Sequence, residues 1–142
     1  MKYVINVFKK YAVFKGRARR AEYWSFVLFN AIILIPLYIW NIQSKSIIVD
    51  NSVKISLTNS SIHAAPVIQS AILSLYLLVT FLPSLSVMVR RLHDSGKSGW
   101  WWFLGIIPVI GPLCIIILMT LNSTSGENKY GSNPKESEIG HA

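Results

Sequence analysis

Cysteine is nearly absent from this chain. Cys114 is the only one among 142 residues. One thiol excludes an intramolecular disulfide and leaves no cysteine-based metal site. Set in an apolar run, Cys114 is expected to act as a small buried hydrophobe. Charge is scarce too. Charged residues make up 14% of the chain and hydrophobic ones 52%, whereas a soluble domain carries about 25% charged residues. That balance points to a membrane protein. Acids are scarcest, only six, and residues 1–20 hold none of them but seven of the fourteen Lys and Arg. Such a basic stretch beside an apolar run orients a membrane protein and attracts anionic lipid. The net charge of +8 comes with no nucleic-acid-binding motif, and the cations flank apolar runs, so nucleic acid is not an expected partner. A cleavable leader is not expected either. The first apolar run of membrane length begins at Tyr23, is too long for a signal-peptide core, and lacks a small-residue cleavage site after it.

Residues 2–14 fit an amphipathic helix lying in the headgroup layer. Tyr3, Val4, Val7, Phe8, Tyr11 and Phe14 gather on one side, with Asn6, Lys9 and Lys10 opposite. Gly16 should end it. Residues 23–40 form a first span, about 27 Å long at about 1.5 Å per residue. Asn30 lies near its middle and is expected to bond to a neighbouring helix. Residues 41–65 are polar and are expected to be an external loop, with a short hairpin within Ile47–Leu57. A second span follows over 66–89, where Ser70 and Ser74 suggest a helix–helix seam. Residues 90–99 form a polar loop. Residues 100–121 are a third apolar segment, interrupted by Gly105, Pro108, Gly111 and Pro112. A kinked span is the default for it and a re-entrant hairpin the alternative. A polar tail fills 122–142. The cation counts of the two basic regions place the N-terminus and the 90–99 loop in the cytoplasm.

The 90–99 loop and the three tryptophans after it, Arg-Arg-Leu-His-Asp-Ser-Gly-Lys-Ser-Gly-Trp-Trp-Trp, gather most of the chain's chemistry. Gly96-Lys97-Ser98 resembles the end of a phosphate loop. The pattern fails, because Arg91 stands where its first glycine belongs and a membrane helix precedes instead of a strand. His93 and Asp94 have no second nearby histidine to complete a metal site and no nucleophile beside them. Arg90 and Asp94, four apart at a helix end, are expected to pair. Glu22 has two candidate roles: a local ion pair with Arg19, or a longer-range partner in the 90–99 loop. Trp100 and its neighbours should anchor the third segment at headgroup depth.

Three stretches together are similar to one known family. They are Phe14–Trp24 (Phe-Lys-Gly-Arg-Ala-Arg-Arg-Ala-Glu-Tyr-Trp), Arg90–Trp101, and Gly126–Pro134 (Gly-Glu-Asn-Lys-Tyr-Gly-Ser-Asn-Pro). They resemble, in the right order, the small bacterial inner-membrane proteins catalogued as domain of unknown function 805, the YhaH-like proteins. The resemblance implies a multi-pass protein of the bacterial cytoplasmic membrane and brings no activity, substrate or cofactor. It singles out Gly16, Arg17, Arg20, Glu22 and Trp24; Arg91, Leu92, His93, Asp94, Gly99 and Trp100; and Asn128, Gly131 and Pro134. If the three stretches form one cluster, the tail lies on the cytoplasmic side and the third segment re-enters.

The sequence thus predicts an all-α integral membrane protein with an interfacial N-terminal helix and three apolar membrane segments. Its candidate site is a cytoplasmic-face cluster of Arg17, Arg20, Glu22, Trp24, Arg90, Arg91, His93, Asp94, Lys97 and Trp100, with Glu22 and Asp94 offsetting the arginines. No catalytic residue, metal or cofactor is expected. The expected role is a non-enzymatic module that binds anionic lipid, a membrane-protein partner or its own copies. A transporter component and an enzyme using His93 and Asp94 are the alternatives.

Overall fold

A computed structural model describes residues 2–51 and 61–134, with side chains over 2–43 and 67–134. Five helices and no strand occur among the described residues: α1 (Lys2–Lys9), α2 (Arg20–Asn51), α3 (Ser61–Asp94), a 3₁₀ helix (Gly99–Ile106) and α4 (Ile110–Thr120). Two stretches are long and apolar enough to cross a bilayer, Arg20–Gln43 in α2 and Val67–Asp94 in α3. Only 11% and 28% of the residues in their most apolar windows are buried. Apolar helices enclosed in a soluble core would be buried; these present their apolar faces outward, as faces that meet lipid do.

The elements differ from the sequence reading at their ends. α2 continues through Asn51, so residues 41–51 are helical and no hairpin strand forms at Ile47–Val49; the rest of that expected hairpin lies outside the described residues. Once a helix is nucleated, each further residue adds a hydrogen bond, and local β-propensity is outweighed. α3 likewise starts before Pro66 and runs through Asp94. Arg90–Asp94 is therefore its last turn, not a loop. That turn closes as a Schellman motif: Lys97 N–H donates to Leu92 O at 2.9 Å, Gly96 N–H donates to His93 O at 3.0 Å, and Gly96 takes φ +73°.

Residues 99–121 are not one continuous helix. The chain breaks at Ile107–Val109 between the 3₁₀ helix and α4. With eleven residues, α4 is about 17 Å long, well short of the hydrocarbon thickness of about 30 Å. Ile110 N–H donates to Pro108 O at 2.8 Å across Val109, whose φ 68° and ψ −61° make the strained, positive-φ form of the γ-turn. Both ends of the segment return to the last turns of α3. A Cβ on Gly99 would lie 2.9 Å from Val89 Cγ1, and Arg91 Nε donates to Met119 O at 3.2 Å. The segment is a hairpin.

The chain divides into two compact units. The first joins Met1–Val27 to Leu82–Ala142. Its core is built on Val7, Phe26, Val87, Leu92, Ile115 and Met119, all buried, with Val4 and Trp102 packed against it. α1 is thus shorter than 2–14 and docked through Val7, with Phe8 edge-on to Phe26 at 5.6 Å. The chain leaves helix after Lys9, and the buried Ser86 hydroxyl lies 3.0 Å from the carbonyl oxygens of both Lys10 and Val13. Gly16, at φ +88°, is a later turn that leads into Arg17 rather than the helix stop. The second unit is Leu28–Phe81. In it Tyr76 Oη donates to Asn30 Oδ1 at 2.9 Å, the interhelical bond that a mid-span asparagine calls for. Ser74 bonds back to Ser70 O in its own helix at 2.8 Å.

Candidate functional site

Carbonyls at the end of α3 take hydrogen bonds from outside the helix. The chain supplies partners from two distant stretches. Ala18 N–H donates to Arg90 O at 3.0 Å and Thr124 N–H to Asp94 O at 3.0 Å. Asn128 Nδ2 donates to His93 O at 3.0 Å and to Thr124 Oγ1 at 2.8 Å. Asn128 is itself held in a tight turn: its N–H and C=O pair with those of Gly131, and its Oδ1 accepts from Tyr130 N–H at 2.9 Å.

Side chains then lock these stretches together. Asp94 is fully buried and sits at a helix C-terminus, where the macrodipole disfavours an anion. Two guanidinium groups offset that cost. Arg17 Nε approaches Oδ1 at 3.0 Å, and Arg91 Nη1 approaches Oδ2 at 2.6 Å. The Ser123 hydroxyl also donates to Oδ2. Arg17 reaches on to the tail, donating to Thr124 O at 2.7 Å and Gly126 O at 2.8 Å. Arg91 also donates to Leu121 O, and Arg20 Nε donates to the same carbonyl at 2.9 Å. Arg20 completes its fork on Asn122 Oδ1. Arg19 donates to Pro134 O. A second buried pair lies beside the first, Arg90 Nη1 to Glu22 Oε1 at 2.8 Å.

Arg17, Arg20, Glu22, Arg90, Arg91 and Asp94 therefore form one charged knot, but the pairing differs from the sequence reading. Arg90 pairs with Glu22 rather than with Asp94, because Asp94 turns to Arg91 and Arg17. Glu22 takes the long-range partner. Arg20 is matched by a carbonyl and an amide oxygen rather than by an acid. His93 stands to one side, stacked on Tyr130 at 3.8 Å with the rings 7° from parallel. Lys97 lies over the Trp101 ring at 5.2 Å. Trp100 is 75% exposed and stacks on Phe103. Trp24 is 39% exposed and edge-on to Tyr23. These last three are outside the knot.

The knot ties the three stretches together from within, and leaves Arg90 Nε and Nη2 buried without a hydrogen-bond partner. Both Asp94 oxygens are engaged and enclosed, while the His93 ring stacks on Tyr130. No group of three or more His, Cys, Asp or Glu that could hold a metal ion occurs among the described residues. Reasoning from the residues alone missed Thr124 and the carbonyls of Met119, Leu121, Gly126 and Pro134. Backbone acceptors carry no side-chain signature, and only the Asn128–Pro134 likeness pointed to the tail.

The family model described as "Protein of unknown function (DUF805)" matches residues 11–132. The chain is 40% identical over 135 residues to "Inner membrane protein YhaI" of Escherichia coli (strain K12), across 95% of this chain and 97% of that protein. It is 35% identical over 135 residues to "Inner membrane protein YhaH" of the same strain, across 95% and 98%. No solved structure matches the chain. All three stretches of the knot lie within or at the edge of the family match.

Proposed function

We propose, from the premise that the chain belongs to the DUF805 family, with inner-membrane proteins as relatives, that it is a non-enzymatic membrane module whose knotted face lies in the cytoplasm and binds anionic phospholipid. In this reading α2 and α3 span the bilayer, the 99–121 hairpin re-enters it, and the N-terminus and tail share one side. The supporting observation is how charge is sorted. The knot's two acids are buried and consumed by arginines. Lys2, Lys9, Lys10, Lys15 and Lys129 are exposed. Among its described residues, the charge this unit exposes is mainly lysine, with exposed Trp100 and Trp101 at hand for the headgroup layer. Lysines near an anionic surface contribute about 1 kcal/mol each. Glu127, exposed in the tail, offsets little of that charge.

In nanodiscs, adding phosphatidylglycerol to phosphatidylcholine is expected to raise the thermal midpoint of the protein. The rise should shrink in high salt and in the Lys9→Gln/Lys10→Gln/Lys15→Gln variant. Equal midpoints in the two lipid compositions would overturn the lipid reading.

A further inference from the structure

A groove of about 500 Å³ runs beside the knot, lined by Leu85, Val89 and His93 of α3, by Phe14, by Trp102 and Phe103 of the 3₁₀ helix, and by Tyr130 of the tail. We infer that this groove holds one acyl chain of an anionic phospholipid, with its phosphate at the His93–Ser98 end. The inference rests on the lipid reading above and names the site and ligand for it.

The polarity of the wall runs in the direction an amphiphile needs. Leu85, Val89 and His93 are spaced four apart, so they form one stripe about 12 Å long on the last turns of α3. The stripe begins apolar within the span and ends at the imidazole, where the span ends. The aromatic rings of Phe14, Trp102 and Phe103 complete the lining and give an alkyl chain broad apolar surface to pack against. The polar end carries Ser98, whose hydroxyl accepts weakly from Trp100 N–H at 3.5 Å and keeps its own proton to donate. Lysines sit next in sequence to lining residues from all three stretches of the knot. Lys15 follows Phe14, Lys97 precedes Ser98, and Lys129 precedes Tyr130, with its Nζ 5.0 Å from the Tyr130 ring centre. Among the described residues, no acid lines the groove. An apolar trough at a span end, with lysines next in sequence to its lining residues, is complementary to an alkyl chain joined to a phosphate.

Native mass spectrometry of the full chain with dioleoyl phosphatidylglycerol is expected to retain one lipid per chain. Leu85→Trp should plug the trough. Keeping about two methylenes out costs roughly tenfold in affinity, so the retained lipid should fall by at least that factor. Phosphatidylglycerol carrying a photoreactive group in its acyl chain should label peptides containing Phe14 and residues 98–103 in the unaltered protein, independently of how any variant folds. Labelling confined to the outer helix stretches 28–43 and 67–81 would overturn the groove assignment, as would unchanged retention by a folded Leu85→Trp protein. If the groove fails while phosphatidylglycerol still raises the thermal midpoint in nanodiscs, the surface reading stands without it. Loss of both results would remove both.

Discussion

Asp94→Ala is expected to destabilise the protein by about 3–5 kcal/mol, the usual cost of removing one partner from a buried ion pair. The substitution strands two arginines at once. Arg91 is fully buried and Arg17 nearly so, and neither can reach water without breaking its bonds to the tail or to α4. Asp94→Asn keeps the shape and one acceptor but loses the charge, so it should fall between the parent and Asp94→Ala. Monodisperse yield after detergent extraction and thermal unfolding followed by circular dichroism measure both. The tail should loosen first, because the Asp94 carboxylate holds Ser123 directly and, through Arg17, the Thr124 and Gly126 carbonyls. Faster proteolysis after residue 121 in Asp94→Asn would report that step. An Asp94→Ala protein as stable as the parent would mean that the knot does not hold the fold.

Gly111→Ala should rank next. A Cβ there would lie 2.0 Å from the Leu104 carbonyl oxygen, more than about 1 Å inside contact distance. That neighbour is backbone and cannot swing aside. The 3₁₀ helix and α4 must separate, at a cost of about 3 kcal/mol. The damage should be confined to the hairpin and should spare the Tyr76–Asn30 contact of the other unit. Gly105→Ala is the control, since its added Cβ would meet only Ile115 Cγ1, at an ordinary 3.8 Å. Thermal unfolding of the two variants side by side should show a loss in Gly111→Ala alone.

These two sites also mark how far the sequence could be read. The apolar runs showed that α2 and α3 exist and that the protein belongs in a membrane, because twenty or so apolar residues have few other uses. Their ends were less legible. The β-branched Ile47–Val49 invited a strand where α2 simply continues. The charges of Arg90–Asp94 invited a loop where α3 completes its last turn, although Gly96 was the readable stop. The arginines and acids of the charged cluster could be guessed from residue type and family likeness, although Lys97, Trp24 and Trp100 fall outside it. Its wiring could not. Whether Arg90 faces Glu22 or Asp94 depends on where Arg17 arrives, and that depends on turns at Lys10–Gly16 set by contacts with Ser86 far along the chain. The Pro/Gly interruptions at 105–112 signalled that the third segment was irregular. The break itself became visible only through the Val109 turn and the close packing of Gly111 on Leu104.

The central claim is that the N-terminal stretch and the tail meet on one side of the membrane. Single cysteines at Lys9, Ser132 and Ser52, each in a Cys114→Ser background, test it in right-side-out and inverted vesicles with an impermeant thiol reagent. Lys9 and Ser132 are both exposed positions. Lys9→Cys and Ser132→Cys should be labelled only in inverted vesicles and Ser52→Cys only in right-side-out ones. Labelling of Lys9→Cys and Ser132→Cys from opposite sides would contradict it, since no knot could then join Arg17 to the tail.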